Sequence, residues 1–286
     1  MDPKTRNELV HDREAAFHDE RFLIDYSPAR IARDVRRPLT TLLGAPPRAA
    51  RALDVACGTG FGAIGLAAGG MATDCHACDL SSEMVARARA NAVRANTDVR
   101  FARCDAERLP YADACFDLVL VRGALHHLPE PLAALTEMRR VLAPGGTVVV
   151  LAEPTPGSER QVGRMLGAAA RAVEALRPLR RAPNDPDRVC ELASIAANRH
   201  TFEPEDIATL AEKAGFEDIT VGTASWAWIL ALELNHYLLR GLPVARNAAV
   251  KRLARALTDA AAVFDRAVAD RALPSRWRHT VQAVLR

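Results

Sequence analysis

An apolar strand running straight into a glycine loop and then a helix constrains this chain most. It reads Leu53-Asp54-Val55-Ala56-Cys57-Gly58-Thr59-Gly60, with a helical pattern over 61–69 directly behind it. Glycines at so sharp a turn let the backbone approach a ligand that a Cβ would block. Short apolar runs then alternate with helical patterns. The spacing predicts strands over 51–55, 74–78, 98–102, 116–121 and 147–152, and further helices near 82–95 and 131–142. That alternation predicts a parallel sheet covered on both faces, with Pro144-Gly145-Gly146 as the turn into the last of these strands.

Around this core the chain reads as a helical N-terminal lid over 1–46, closed by Pro46-Pro47, and a ligand-binding core over 47–157. A helical cap follows over 158–200, then the end of the core over 201–225, with Phe216 to Thr223 as a sixth strand. Residues 226–274 form a helical insertion, and Thr280-Val281-Gln282-Ala283-Val284-Leu285 within 275–286 supplies the seventh strand. At 286 residues and 49% hydrophobic content the chain can bury a full core. The net charge of +3 directs no strong field at nucleic acid or membrane. No run reaches the roughly 18–20 apolar residues needed to span a bilayer. The polar first residues show no signal-peptide core, so a cytoplasmic enzyme without stable membrane insertion is expected. Six cysteines include the spacing Cys75-His76-Ala77-Cys78, but no second pair completes a metal site, so no metal is expected.

Three downstream stations give the glycine loop its meaning. Asp79 follows the second strand, 19 positions after Gly60, where a carboxylate can accept from both hydroxyls of a ribose. Asp105 follows the third strand, and Leu125-His126-His127-Leu128 the fourth. A doubly wound sheet binds its ligand across the carboxyl ends of its strands, which explains why such residues recur at strand ends. A nicotinamide enzyme is the rival, since Gly60-Phe61-Gly62-Ala63-Ile64-Gly65 is a literal GxGxxG. However, the first strand stops near Val55, which puts most of these glycines inside the helix.

Together, over roughly 50–155, these motifs resemble the class I S-adenosylmethionine (SAM) dependent methyltransferases, of the small-molecule, quinone-methylating kind. The resemblance implies a seven-stranded Rossmann-like α/β sheet, six strands parallel and the last antiparallel. It implies SAM as cofactor and S-adenosylhomocysteine as product, held by Asp54, Ala56, Cys57, Gly58, Thr59, Gly60, Asp79, Leu80, Met84, Asp105, Ala106 and Arg122. One departure is Ala56, where the family loop carries its first glycine. The resemblance also implies a base: His126 or His127 at the end of strand four, paired with Glu153 at the end of strand five.

The expected acceptor is a small, apolar or natural-product-like molecule, with oxygen the preferred atom. His11, His18 and Tyr26 on the lid are candidates to line its site. The stretch Trp226-Ala227-Trp228 admits a substrate wall, a homodimer face, a membrane-surface helix or plain packing. Nucleic acid is disfavoured as a partner, because Arg122-Gly123-Ala124-Leu125 stands where amino-directed nucleic-acid methyltransferases carry an Asn/Asp-Pro-Pro-aromatic motif. A non-methylating enzyme on the same site, a cyclase or decarboxylase, is the alternative, since binding motifs do not specify chemistry.

Overall fold

The computed structural model describes residues 2–175, 200–225, 227–232, 248–274 and 278–286. Helices α1 (Pro3–Glu14), α2 (His18–Arg21), α3 (Pro28–Ile31) and α4 (Arg37–Leu43) precede the sheet, α3 and α4 being joined by a π turn over Ala32–Arg36. Then come β1 (Ala49–Val55), α5 (Phe61–Ala68), β2 (Ala72–Asp79), α6 (Ser82–Arg94), β3 (Arg100–Arg103) and β4 (Phe116–Arg122). A 3-10 turn over Leu125–His127 leads to α7 (Pro131–Val141), β5 (Leu142–Pro154) and α8 (Pro156–Ala175). The remaining elements are α9 (Pro204–Lys213), β6 (Ile219–Ala224), α10 (227–232), α11 (Ala248–Phe264) and β7 (Thr280–Leu285).

The strands form one seven-stranded sheet in the order β3-β2-β1-β4-β5-β7-β6. β2, β1, β4 and β5 pair in parallel, as does β3 with β2. β7 runs against β6: Arg286 exchanges hydrogen bonds with Asp218, while the amide of His279 reaches the carbonyl of Ser225. The seventh strand therefore lies where the sequence placed it. Register decides function here. Val55 pairs with Cys78 and Val121, Asp79 with Arg103, and Arg122 with Leu151, so the chain leaves β1 to β5 along one edge.

Two corrections concern boundaries. β5 begins at Leu142, five residues earlier than expected, because Pro144-Gly145-Gly146 is an irregularity within the strand rather than a turn before it. Gly145 sits at φ +76°, a conformation a side chain would resist. The sixth strand starts at Ile219 rather than Phe216, whose ring is buried in the core.

Among the described residues, 2–153, 200–222 and 281–286 make one compact unit, which includes the N-terminal helices. Its core lies on both sheet faces: Val119, Leu135 and Ile207 belong to one cluster, Leu39, Leu66 and Val149 to the other. Residues 154–175, 223–225, 227–232, 248–274 and 278–280 make the second unit. There Asp265 accepts from the amides of Ala227 and Trp228, at 2.7 and 2.8 Å, and so caps α10. The expected helices within 176–199 and 233–247, and Trp226, lie outside the described residues.

Candidate active site

The turn after β1 is built on left-handed backbone. Ala56, Gly58 and Gly60 have φ of +52°, +53° and +86°. Gly60 starts α5 tightly, since a Cβ there would meet the Cβ of Ala88 at 3.0 Å and the Phe101 ring at 3.1 Å. Gly62 lies inside α5, where a Cβ would come within 2.5 Å of Asp54 Oδ2. The GxGxxG match is thus a packing feature of the helix, and the phosphate cradle of a nicotinamide enzyme is not formed by it.

Asp54 is buried, and its Oδ2 accepts from the Ala63 amide at 2.7 Å, bracing the first turn of α5. Burial pushes its carboxyl up to about 7; the Ala63 amide and the Arg122 charge pull it down, and Asp79 adds to the rise. The Arg122 guanidinium lies 5.3 Å from the centre of the Phe61 ring. Asp79 could accept from a diol. Its Oδ2 accepts from the Gly58 amide at 2.8 Å and its Oδ1 from the Ser81 amide at 2.9 Å. Both oxygens are fixed by backbone, and each keeps a lone pair for a further donor.

Asp105 Oδ1 accepts from the Glu107 amide at 2.9 Å, and Oδ2 carries the Lys4 ammonium at 2.6 Å. Lys4 also reaches Glu107 at 2.5 Å. Leu80 is half-buried, and Met84 and Ala106 are buried. A glycine loop with positive φ, a diol-accepting acid and a third acid at the next strand end fit an adenosine-bearing ligand. No group of three or more His, Cys, Asp or Glu suited to a metal occurs among the described residues. Burial pushes the Cys75 thiol up to about 11 and raises Cys57, while a hydrogen bond with Cys104 and then burial raise Cys78, so all three are neutral thiols near pH 7.

At the end of β5, Glu153 is fully buried. Its carboxylate accepts from the amides of Ala124, Leu125 and His126, each at 3.0 Å, and contacts His126 Nδ1 at 2.8 Å. The two expected base candidates therefore separate: His126 pairs with Glu153, and His127 is the next ring along, with centroids 3.9 Å apart. A carboxylate partner on Nδ1 selects the tautomer with the proton there, which leaves Nε2 as acceptor.

The N-terminal helices supply residues that the sequence reading missed. Asp2 caps α1 by accepting from the amides of Lys4 and Thr5. Asn7 donates to the carbonyl of His127, and Asp12 accepts from the Ser81 hydroxyl at 2.5 Å. The His11 ring meets His127 edge-on at 4.8 Å and sits 3.5 Å from Glu14, which also pairs with Arg21. Against its own burial, hydrogen bonding from His11 and the charges of Arg21, His18 and His11 hold the Glu14 carboxyl down to about 2. Burial opposes the charge of His11, yet Glu14 and Asp79 outweigh it and raise the imidazole. His18 Nδ1 lies 3.3 Å from the Thr59 hydroxyl, and the Tyr26 hydroxyl donates to the Thr59 carbonyl at 2.8 Å. Asn91 joins them, its Nδ2 reaching Tyr26 at 2.6 Å. All three lid candidates thus meet the cofactor loop or the histidine pair. Trp228 belongs to the second unit, where only its capped backbone is informative.

The seven-stranded sheet and its helices match the fold of class I SAM-dependent methyltransferases. Residues 53–150 match the family described as "Methyltransferase domain". Among curated relatives it is similar to a demethylmenaquinone methyltransferase of Beutenbergia cavernae, 41% identical over 121 residues, covering 42% of this chain and 48% of that protein. It also resembles the 27-O-demethylrifamycin SV methyltransferase of Amycolatopsis mediterranei, 33% identical over 178 residues, covering 57% of this chain and 64% of that one. The chain thus spans about half to two thirds of the length of these relatives. Among solved structures it resembles a Haemonchus contortus phosphoethanolamine N-methyltransferase 2, with a TM-score of 0.59 at 19% identity, covering 96% of this chain and 57% of that one. That likeness speaks to the fold.

Proposed function

We propose that this chain transfers a methyl group from SAM to a small, apolar or natural-product-like acceptor, at oxygen. The observation that carries the reading is Asp79, whose two oxygens are pinned by the Gly58 and Ser81 amides beside the left-handed loop. In this reading Asp79 accepts from the ribose, Asp105 from the adenine amino group, and the Cys57-Gly58-Thr59 backbone faces the methionine end. Bound there, the cofactor supplies an activated methyl. His126, oriented through Nδ1 by Glu153, takes the acceptor hydroxyl's proton at Nε2, which suits an imidazole near neutral pH. The preference for oxygen draws support from that base and from the O-methyl chemistry named for the Amycolatopsis relative; the quinone relatives support an apolar acceptor.

The test is calorimetric titration with SAM and S-adenosylhomocysteine on wild type and Asp79→Asn. Neutralising Asp79 weakens two charge-assisted ribose bonds, which predicts a loss of affinity of about a hundredfold. Folded wild type that bound neither ligand would remove the reading. If SAM binds but neither S-adenosylhomocysteine nor a methylated acceptor forms with any candidate acceptor, the cyclase or decarboxylase alternative takes its place.

A further inference from the structure

The helix α11 continues without a break through a π turn over Asp265–Ala269 to Ala272, and it is packed inside out. Its buried positions are small or polar: Ala254, Thr258, Ala262, Asp265 and Ala269. Its large apolar side chains face outward, with Leu253 60%, Leu257 55%, Val263 55%, Phe264 42% and Val268 45% exposed. Burying these five would be worth far more than burying the alanines opposite, so packing among the described residues does not account for the pattern. Exposed alanines fill the stripe between them, and Arg252 and Arg271 close its two ends. No carboxylate is exposed along it, since Asp259 and Asp270 are half-buried and Asp265 is buried.

From this we infer that the outward face of α11 docks on an anionic lipid bilayer, lying in the headgroup plane. A second copy of the chain is the competing occupant, and charge argues against it. Antiparallel pairing about the middle of the stripe sets Arg252 of one copy beside Arg271 of the other, and parallel pairing sets each arginine beside itself. Neither offers an acid to compensate. Anionic headgroups complement both ends while acyl chains take the Leu, Val and Phe side chains, which is the pattern of an interfacial helix. No helix among the described residues is long and apolar enough to cross the membrane, so the contact is peripheral. The inference is independent of the methyl-transfer reading.

The experiment is co-sedimentation of the full chain with phosphatidylcholine vesicles, with and without phosphatidylglycerol. Wild type is expected to partition at least tenfold more strongly onto the anionic vesicles, with salt weakening the effect. Leu257→Glu/Phe264→Glu should abolish binding at an unchanged melting temperature. Arg252→Glu/Arg271→Glu, which leaves the apolar stripe intact, should remove the preference for anionic lipid. Wild type that ignores anionic vesicles overturns the proposal. So does a concentration-dependent dimer that the Leu257/Phe264 variant dissolves without any vesicle binding by wild type. A melting temperature lowered by several degrees in that variant also overturns it, because the stripe would then be covered by the chain itself.

Discussion

Glu153→Gln tests how the β4 loop is held. The native carboxylate meets four donors in a fully buried place, three backbone amides and the His126 ring. Glutamine offers one oxygen. That oxygen can keep the Ala124 and Leu125 amides, as neutral bonds weaker by about 1 kcal/mol each. The side-chain NH2 then faces His126, whose ring can shift its proton to Nε2 and accept at Nδ1, but whose backbone amide has no such option. An orphaned buried N–H costs about 1–3 kcal/mol, giving a gross loss of about 3–5 kcal/mol. Relief from burying a formal charge offsets part of this, leaving a net loss of about 2–4 kcal/mol. For a chain of this size that corresponds to a melting temperature lower by roughly 3–7 °C, read by calorimetry. Turnover should fall further than stability, because the new tautomer blocks Nε2 with a proton; the loss of a base predicts a drop of about 10²–10⁴ in kcat under conditions where the variant is folded. A variant melting within about 1 °C of wild type, set against the roughly 3–7 °C worked from lost bonds, would refute the clamp.

Three further expectations follow from the same site. Burial holds Asp54 near 7 against an unfolded value near 4, so the folded state keeps the proton longer; its contribution to stability is present below about pH 4 and is lost as pH rises through 7. Denaturant titrations at pH 5 and 8 should show Asp54→Asn losing on the order of 2–3 kcal/mol less than wild type over that span, and equal slopes would remove the explanation. Ala56 occupies a left-handed conformation at φ +52° that costs a non-glycine about 1–2 kcal/mol, so after unfolded-state entropy Ala56→Gly should gain about 0.5–1 kcal/mol. A lower melting temperature for that variant would contradict this. Lys4 and Asp105 are 39% and 32% exposed, so their pair is worth at most about 1 kcal/mol; Lys4→Ala should tighten SAM binding by up to about fivefold at low salt, with the gain gone at high salt. Weaker binding in a folded variant would mean that α1 helps to hold the ligand instead.

What the sequence disclosed and what it hid divide along a physical line. The strand-end places of Asp79 and Asp105 were readable because the apolar runs and the turns after them set where a parallel sheet ends. The seventh strand at Thr280–Leu285 was readable from its apolar, β-branched content. Which histidine faces Glu153 was not, because Leu125–His127 is a 3-10 turn that rotates successive side chains by about 120°, a choice that composition does not make. Pro144-Gly145-Gly146 misled because the residues that end a helix also suit an irregularity within a strand.

The N-terminal segment hid most, for a different reason. Helix α1, Pro-Lys-Thr-Arg-Asn-Glu-Leu-Val-His-Asp-Arg-Glu, has no apolar stripe, and a helix that is polar all round reads as solvated. Its polar residues are instead spent on the site: Lys4 on Asp105 and Glu107, Asn7 on the His127 carbonyl, Asp12 on Ser81, and Glu14 on His11 and Arg21. The rest of the N-terminal segment is anchored by apolar burial of Ile31, Val35 and Leu39, whereas α1 itself is fastened by polar contacts, of which the part-exposed Lys4–Asp105 pair contributes about 1 kcal/mol or less. If Asp105 takes the adenine amine as proposed, cofactor binding competes with the Lys4 ion pair for the same carboxylate, and the polar residues of α1 are what place Lys4 there.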